Sequence, residues 1–174
     1  MSGGIEGVFG PEEWTAILLS LKVGTIATAA SLPPAIAVAW VLARREFWGK
    51  SLVDGFVHLP LVLPPVVTGY ALLILFGRRG VFGGFLADHL GLVFSFRWTG
   101  AALAAGVMGF PLMVRAIRLS FEAIDVRVEQ AAATLGAPPA WVFATVTLPL
   151  AARGIVAGAV LAFAKALGEF GATI

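Results

Sequence analysis

Lys165 and Glu169 stand in the apolar stretch GIVAGAVLAFAKALGEFGATI, four residues apart. On a helix that spacing lets an ammonium and a carboxylate meet on one face. Charges in such surroundings are costly and are paired or functional. The pair could serve as a gate for a charged solute, or as an internal salt bridge that holds helices together. Other residue types that do chemistry are scarce. Trp48, Gly49, Lys50 and Ser51 end like a phosphate-binding loop. That motif needs a glycine five residues before Gly49, where Arg44 stands, and no strand precedes it. The stretch therefore reads as a short basic turn. His58 and His89 have no partners at metal-ligand spacing and read as boundary residues. Asp54, Glu122 and Asp125 lie at helix ends, and no nucleophile–base arrangement is visible. The chain has no cysteine, hence no disulfide framework and no thiolate metal site. These residues point to no catalysis, and to no metal or cofactor held by this chain.

The elements that carry Lys165 and Glu169 must be membrane helices. Of 174 residues, 59% are hydrophobic and only 13% charged, with a mean hydropathy of +0.95. A soluble domain of this length saturates its core with less apolar surface. A net charge of +2 leaves no nucleic-acid footprint. The first residues carry Glu6, Glu12 and Glu13 instead of a positive leader, so no cleavable signal peptide is expected. Four apolar segments stand out, at 14–43, 56–76, 98–120 and 154–174. The first, as one helix, measures about 45 Å, longer than the roughly 30 Å hydrocarbon core. It must tilt, bend at Pro33 and Pro34, or begin outside the core. Lys165 falls about 17 Å beyond Gly154, near the midplane. Gly154 and Gly158 offer a flat surface for close helix approach.

Orientation follows from the basic residues. Arg44, Arg45 and Lys50 lie between the first two segments, and Arg115, Arg118, Arg127 and Arg153 flank the loop between the last two. Arg78, Arg79 and Arg97 border the middle loop. The excess places the first and third loops in the cytoplasm and the N-terminus outside. The glycine-rich middle loop is expected to hold a short interfacial helix over 82–90.

Pro60, Pro64 and Pro65 interrupt the second segment, in LPLVLPPVVTGY. A freed carbonyl in hydrocarbon must be satisfied, so irregular backbone faces protein or a water-filled cavity. Pro64 and Pro65 are expected to bend the helix, with Thr68 one turn deeper. The bend either lines a solute route or only improves packing.

The loop at 125–149, DVRVEQAAATLGAPPAWVFATVTLP, is too polar at its start to span and too regular for a plain turn. Asp125 can cap a helix. VEQAAATL supplies strong helix formers. Gly136 suits the left-handed position that ends it, Pro138 and Pro139 can start a second helix, and Pro149 closes that one. A helix–turn–helix under the membrane results, with small Ala131, Ala132 and Ala133 open to another surface.

This loop resembles that of ABC importer permeases, whose pattern is E-A-A, three residues, G, nine residues, I, any residue, L-P. Gln130, Ala131 and Ala132 stand in the E-A-A places, Gly136 and then Ala137 follow, Val146 takes the isoleucine place, and Leu148 and Pro149 complete it. Gln130 departs from the pattern, with Glu129 one residue earlier. SLKVGTIATAASLPPAIAVAWVLAR, LPLVLPPVVTGYALL, MGFPLMVRAIRLSFEAID and LAFAKALGEFGATI are similar to the permease subunit of molybdate importers, and sulfate permeases are similar through the same regions. The resemblance implies an all-α polytopic helix bundle of the type I importer permease kind, with a cytoplasmic coupling helix-turn-helix. It implies a bacterial or archaeal cytoplasmic membrane. A pair of permeases would work with a dimer of separate ATPase subunits, which hold ATP and magnesium, and with an extracytoplasmic oxyanion-binding protein. Glu129, Gln130, Ala131, Ala132, Gly136, Ala137, Leu148 and Pro149 would couple to the ATPase. Pro64, Pro65, Thr68, Lys165, Glu169 and Thr173 are candidates for the solute pathway or gate. Glu169 would then act as a gate or structurally, since an oxyanion rejects a carboxylate ligand. Sulfate or thiosulfate import is the alternative within the class. An ion-coupled carrier would want mid-membrane carboxylates, and a membrane-anchored structural protein would not need the coupling loop. Members of the family run on past GEFGATI into a further helix. Either the sequence is a fragment of a longer one, or the chain truly ends at Ile174, in which case it would lack the last helix and is expected to transport weakly or not at all.

Overall fold

The computed structural model describes residues 10–77, 80, 83–84 and 98–171. Helix α1, Pro11–Arg44, runs unbroken through Pro33 and Pro34. Pro11 opens it at a position where the missing N–H is no loss. The Glu13 carboxylate accepts from Gly10 N–H at 2.7 Å, closing the first turn. Glu12 and Glu13 at the start and Arg44 at the end match the helix dipole. At 34 residues α1 is about 51 Å long, so it extends beyond the hydrocarbon core without a break.

Helices α4, Trp98–Glu122, and α7, Ala152–Gly171, pack with α1 into the central layer. α1 presents Val23, Ala27, Ala35, Ala39 and Leu42 to this core, a stripe at roughly helical spacing. From α4 come Met113, Val114, Ile117 and Phe121, all fully buried, and from α7 Ala162 and Ala166. Small residues let the backbones approach, because apolar helices in lipid gain little by simply hiding apolar surface. A Cβ at Gly109 would stand 3.2 Å from that of Ala162, and one at Gly158 would stand 3.0 Å from the Met113 carbonyl oxygen. A Cβ at Gly154 would run into Ser120 Oγ. The flat face expected at Gly154 and Gly158 is thus used within the chain, against α4.

The second apolar segment is two helices, α2 (Lys50–Val62) and α3 (Pro65–Phe76), whose axes differ by 114°. Two successive prolines explain the break. Each disfavours the helical conformation in the residue before it, and both Leu63 (ψ 141°) and Pro64 (ψ 141°) are extended. Pro65 then starts α3 at its first position. The turn is far sharper than a packing kink, and α2 begins at Lys50, not at Phe56. Neither helix is long enough alone to cross, at about 20 and 18 Å. α1 and α4 are long and apolar enough to span, and the bent pairs bring the total to as many as four. The interfacial helix expected over 82–90 lies outside the described residues apart from Gly83 and Gly84, as does Thr173.

Between α4 and α7 lie α5 (Val126–Thr134) and α6 (Pro139–Leu150). Asp125 Oδ1 accepts from Arg127 N–H at 2.9 Å, and Gly136 has φ 84°, so both expected caps are formed. Pro149 does not close α6 as expected. The helix runs one residue past it and turns by 67° at the buried Ala151. A π-helical turn at Phe143–Thr147 explains the tolerance. Its wider backbone, with Leu148 N–H donating to the Phe143 carbonyl, relieves the clash a proline ring makes with the carbonyl four residues back.

Candidate coupling loop and solute pathway

Among the described residues, the helix pair α5–α6 is held to the membrane helices by an ionic node and by Phe143 of α6, whose ring lies 5.6 Å from that of Trp40 on α1 and 6.3 Å from that of Phe121 on α4. Arg44, at the last position of α1, donates from Nη2 to Glu129 Oε1 on α5 at 3.0 Å and to the Ile124 carbonyl, just after α4, at 3.2 Å. Thr147, in the π-turn of α6, donates its hydroxyl to the same Glu129 oxygen at 2.8 Å. The Arg44 and Glu129 side chains are 12% and 19% exposed, and Thr147 is buried. Removing one partner of such a pair strands a desolvated charge, worth about 3–5 kcal/mol. Arg44 Nε, also buried, has no hydrogen-bond partner among the described residues. Desolvation of this guanidinium is incompletely compensated, so the node is better at fixing one geometry than at adding stability. It also brings the end of α1, where the first loop begins, against the 125–149 loop.

The rest of the loop faces outward. Gln130, Ala131 and Pro149 are exposed, Ala132, Ala137 and Leu148 half-buried, and Gly136 open to solvent. Around them Val126, Val128, Leu135 and Trp141 are exposed, Leu135 at 89%. Exposed apolar side chains on a polar loop make it a candidate interaction surface.

The pathway candidates fall on two elements. Pro64 and Pro65 form the break, and Thr68 is buried in the first turn of α3, where its N–H donates to the Pro64 carbonyl at 3.2 Å. α3 packs on α4. Lys165 and Glu169 meet on α7 at 2.7 Å, with side chains 40% and 17% exposed, beside the buried Ala166. A cavity of about 600 Å³ opens between α1, α2 and α4, lined by Ile26, Pro34, Phe56, Pro60, Trp98 and Phe110 among others. Its walls are apolar apart from Ser31 and Thr99, so it offers no match for a divalent anion.

Sequence reasoning missed two sets of residues. Arg44 and Thr147 complete the node. Asp54, read as a helix-end charge, accepts from Arg118 at 3.1 Å, and Arg118 donates to Glu122 at 2.7 Å, tying α2 to α4. His58 joins the same group, 3.4 Å from Asp54 Oδ1. Only the i,i+4 members of that group, 54/58 and 118/122, left a local signal.

The chain as a whole is similar to known proteins. The model of the family described as binding-protein-dependent transport system inner membrane component matches residues 35–173. The molybdenum transport system permease protein ModB of Escherichia coli K12 is 61% identical over 93% of this chain and 71% of its own length. The protein of that name from Haemophilus influenzae is 59% identical over the same shares. The sulfate transport system permease protein CysT of Salmonella typhimurium is 34% identical over 96% of this chain and 60% of its own length.

Proposed function

Because the chain belongs to the family of inner-membrane components of binding-protein-dependent transport systems, we propose that it carries molybdate inward by alternating access. It is a multi-pass permease subunit of an ABC importer with no catalytic role of its own, and ATP hydrolysis belongs to a separate subunit. The observation that carries the anion is the difference in identity, 61% to a molybdenum permease against 34% to a sulfate permease, over nearly the whole chain. Two copies would pair with two ATPase subunits docked on the α5–α6 loops, with the N-terminus outside and an oxyanion-binding protein on that face. ATP-driven closure of the motor would draw the loops together and rock the helices as rigid bodies. The exposed small and apolar residues of the loop support this reading. In proteoliposomes with the ATPase and binding protein, uptake of labelled molybdate should be blocked by excess tungstate and persist in excess sulfate. Sulfate uptake that molybdate fails to reduce would assign the other anion.

The break at Pro64 and Pro65 borders the route of the anion in this proposal. A turn of 114° leaves backbone groups that only protein or water can satisfy at membrane depth. Since the chain has no native cysteine, Thr68→Cys and Val66→Cys can be labelled singly with a polar thiol reagent. Thr68→Cys should react in one nucleotide state and be protected in the other. Protection of both positions in every state would reduce the break to helix packing.

A further inference from the structure

We infer that Arg44, Glu129 and Thr147 form a rigid joint through which movement of the coupling loop reaches α1, making α1 and α5 one moving body. This rests on the reading of 125–149 as the loop that receives the motor's stroke. Four segments meet at the joint: the end of α1, Ile124 two residues after α4, the middle of α5 and the π-turn of α6. No covalent continuity links α1 to the loop locally, since Arg44 and Glu129 are 85 residues apart. Without the node, α5 would be tied to α1 only through α6, where Phe143 packs on Trp40, and could slide against it. With it, a shift of α5 either carries α1 along or separates a largely buried ion pair, and the second course is the unfavourable one. The planar guanidinium suits this work. It joins the carboxylate and a carbonyl through one nitrogen, Nη2, and so resists their separation. The π-turn is part of the device, because it sits where α6 aims Thr147 at Glu129. Arg44 and Thr147 are positioning residues here, acting through the loop and touching no solute.

The test uses the full complex with its ATPase. Val41 and Val128 are exposed on α1 and α5, and as the only two cysteines of one permease copy, beside an unlabelled second copy and a cysteine-free ATPase, they accept spin labels. With Arg44 intact, the distance between them should be single and the same in the nucleotide-free and ATP-trapped states. Arg44→Gln should broaden it and make it nucleotide-dependent. The same substitution should lower anion uptake at least about tenfold, with ATP hydrolysis per assembled complex within about twofold of the parent. A purely structural pair would lower both together. Should Arg44→Gln fail to assemble, Thr147→Val removes only the hydroxyl bond and is read instead. A label distance that moves with nucleotide when Arg44 is intact overturns the joint, as does one unchanged by whichever variant assembles. If the parent complex moves no anion, the proposed transport fails, and the label distances still decide the joint.

Discussion

Ala131→Trp is expected to weaken docking of the ATPase subunit at least about tenfold, or about 1.4 kcal/mol, and to reduce anion uptake in proportion. Ala131 is exposed on α5, so the new ring meets nothing within the chain and the loop itself should stand. In the proposed assembly the damage would fall on a partner that approaches a surface of small side chains. Gly136→Val tests the same loop by another route. Gly136 has no atom within 4 Å of a built Cβ, so space is no obstacle. Its φ of 84° is the obstacle, since a β-branched residue resists the left-handed region by at least about 1–2 kcal/mol. The α5–α6 turn would open and the two helices would lose their relative angle. Gly136→Asn, which tolerates that region, should retain most docking. Co-purification of tagged permease with the ATPase reads all three variants. Unimpaired docking with both Ala131→Trp and Gly136→Val would remove this loop from the motor interface.

Much of this loop is legible in the amino-acid sequence because its signals are local. Asp125, Gly136 and the proline pair act on their immediate neighbours, and each produced the cap or start expected of its type. The double proline at 64–65 likewise announced a break, though not its size. A bend of 114° depends on two consecutive extended residues and on what α3 finds to pack against. Pro149 misled because its clash can be relieved from the preceding turn, and a π-turn leaves no mark that periodicity would reveal. Arg44 was the costliest omission. Its charge has a general meaning near a helix end, and that meaning hid the specific one. Its partners Ile124, Glu129 and, through Glu129, Thr147 lie beyond α2, α3 and α4 in the chain. No spacing rule connects them. The pathway candidates divide in the same manner. Lys165 and Glu169 find each other because the helix brings them together, whereas the relation of either to α3 is a matter of the whole bundle.

That pair gives the second large effect. Glu169→Leu should sharply lower the yield of assembled permease, because an unpaired Lys165 ammonium in the membrane carries a penalty of about 2.5–3.5 kcal/mol. Replacing both by leucine removes the stranded charge along with the bond, so assembly should recover, as it does when buried ion pairs give way to apolar ones. The informative variant reverses the pair, Lys165→Glu with Glu169→Lys. The bond can re-form at the same spacing and assembly should be near normal. Uptake should still fall at least about tenfold. Reversal puts a carboxylate at the depth where a cation now stands, 40% exposed on the side of α7 not buried in the core. If the pair lies on the proposed route, a passing oxyanion would be attracted by the native arrangement there and repelled by the reversed one, and low surrounding dielectric would magnify the difference. Uptake that recovers with assembly in the reversed pair would make Lys165 and Glu169 a brace between helices and remove them from the anion's path.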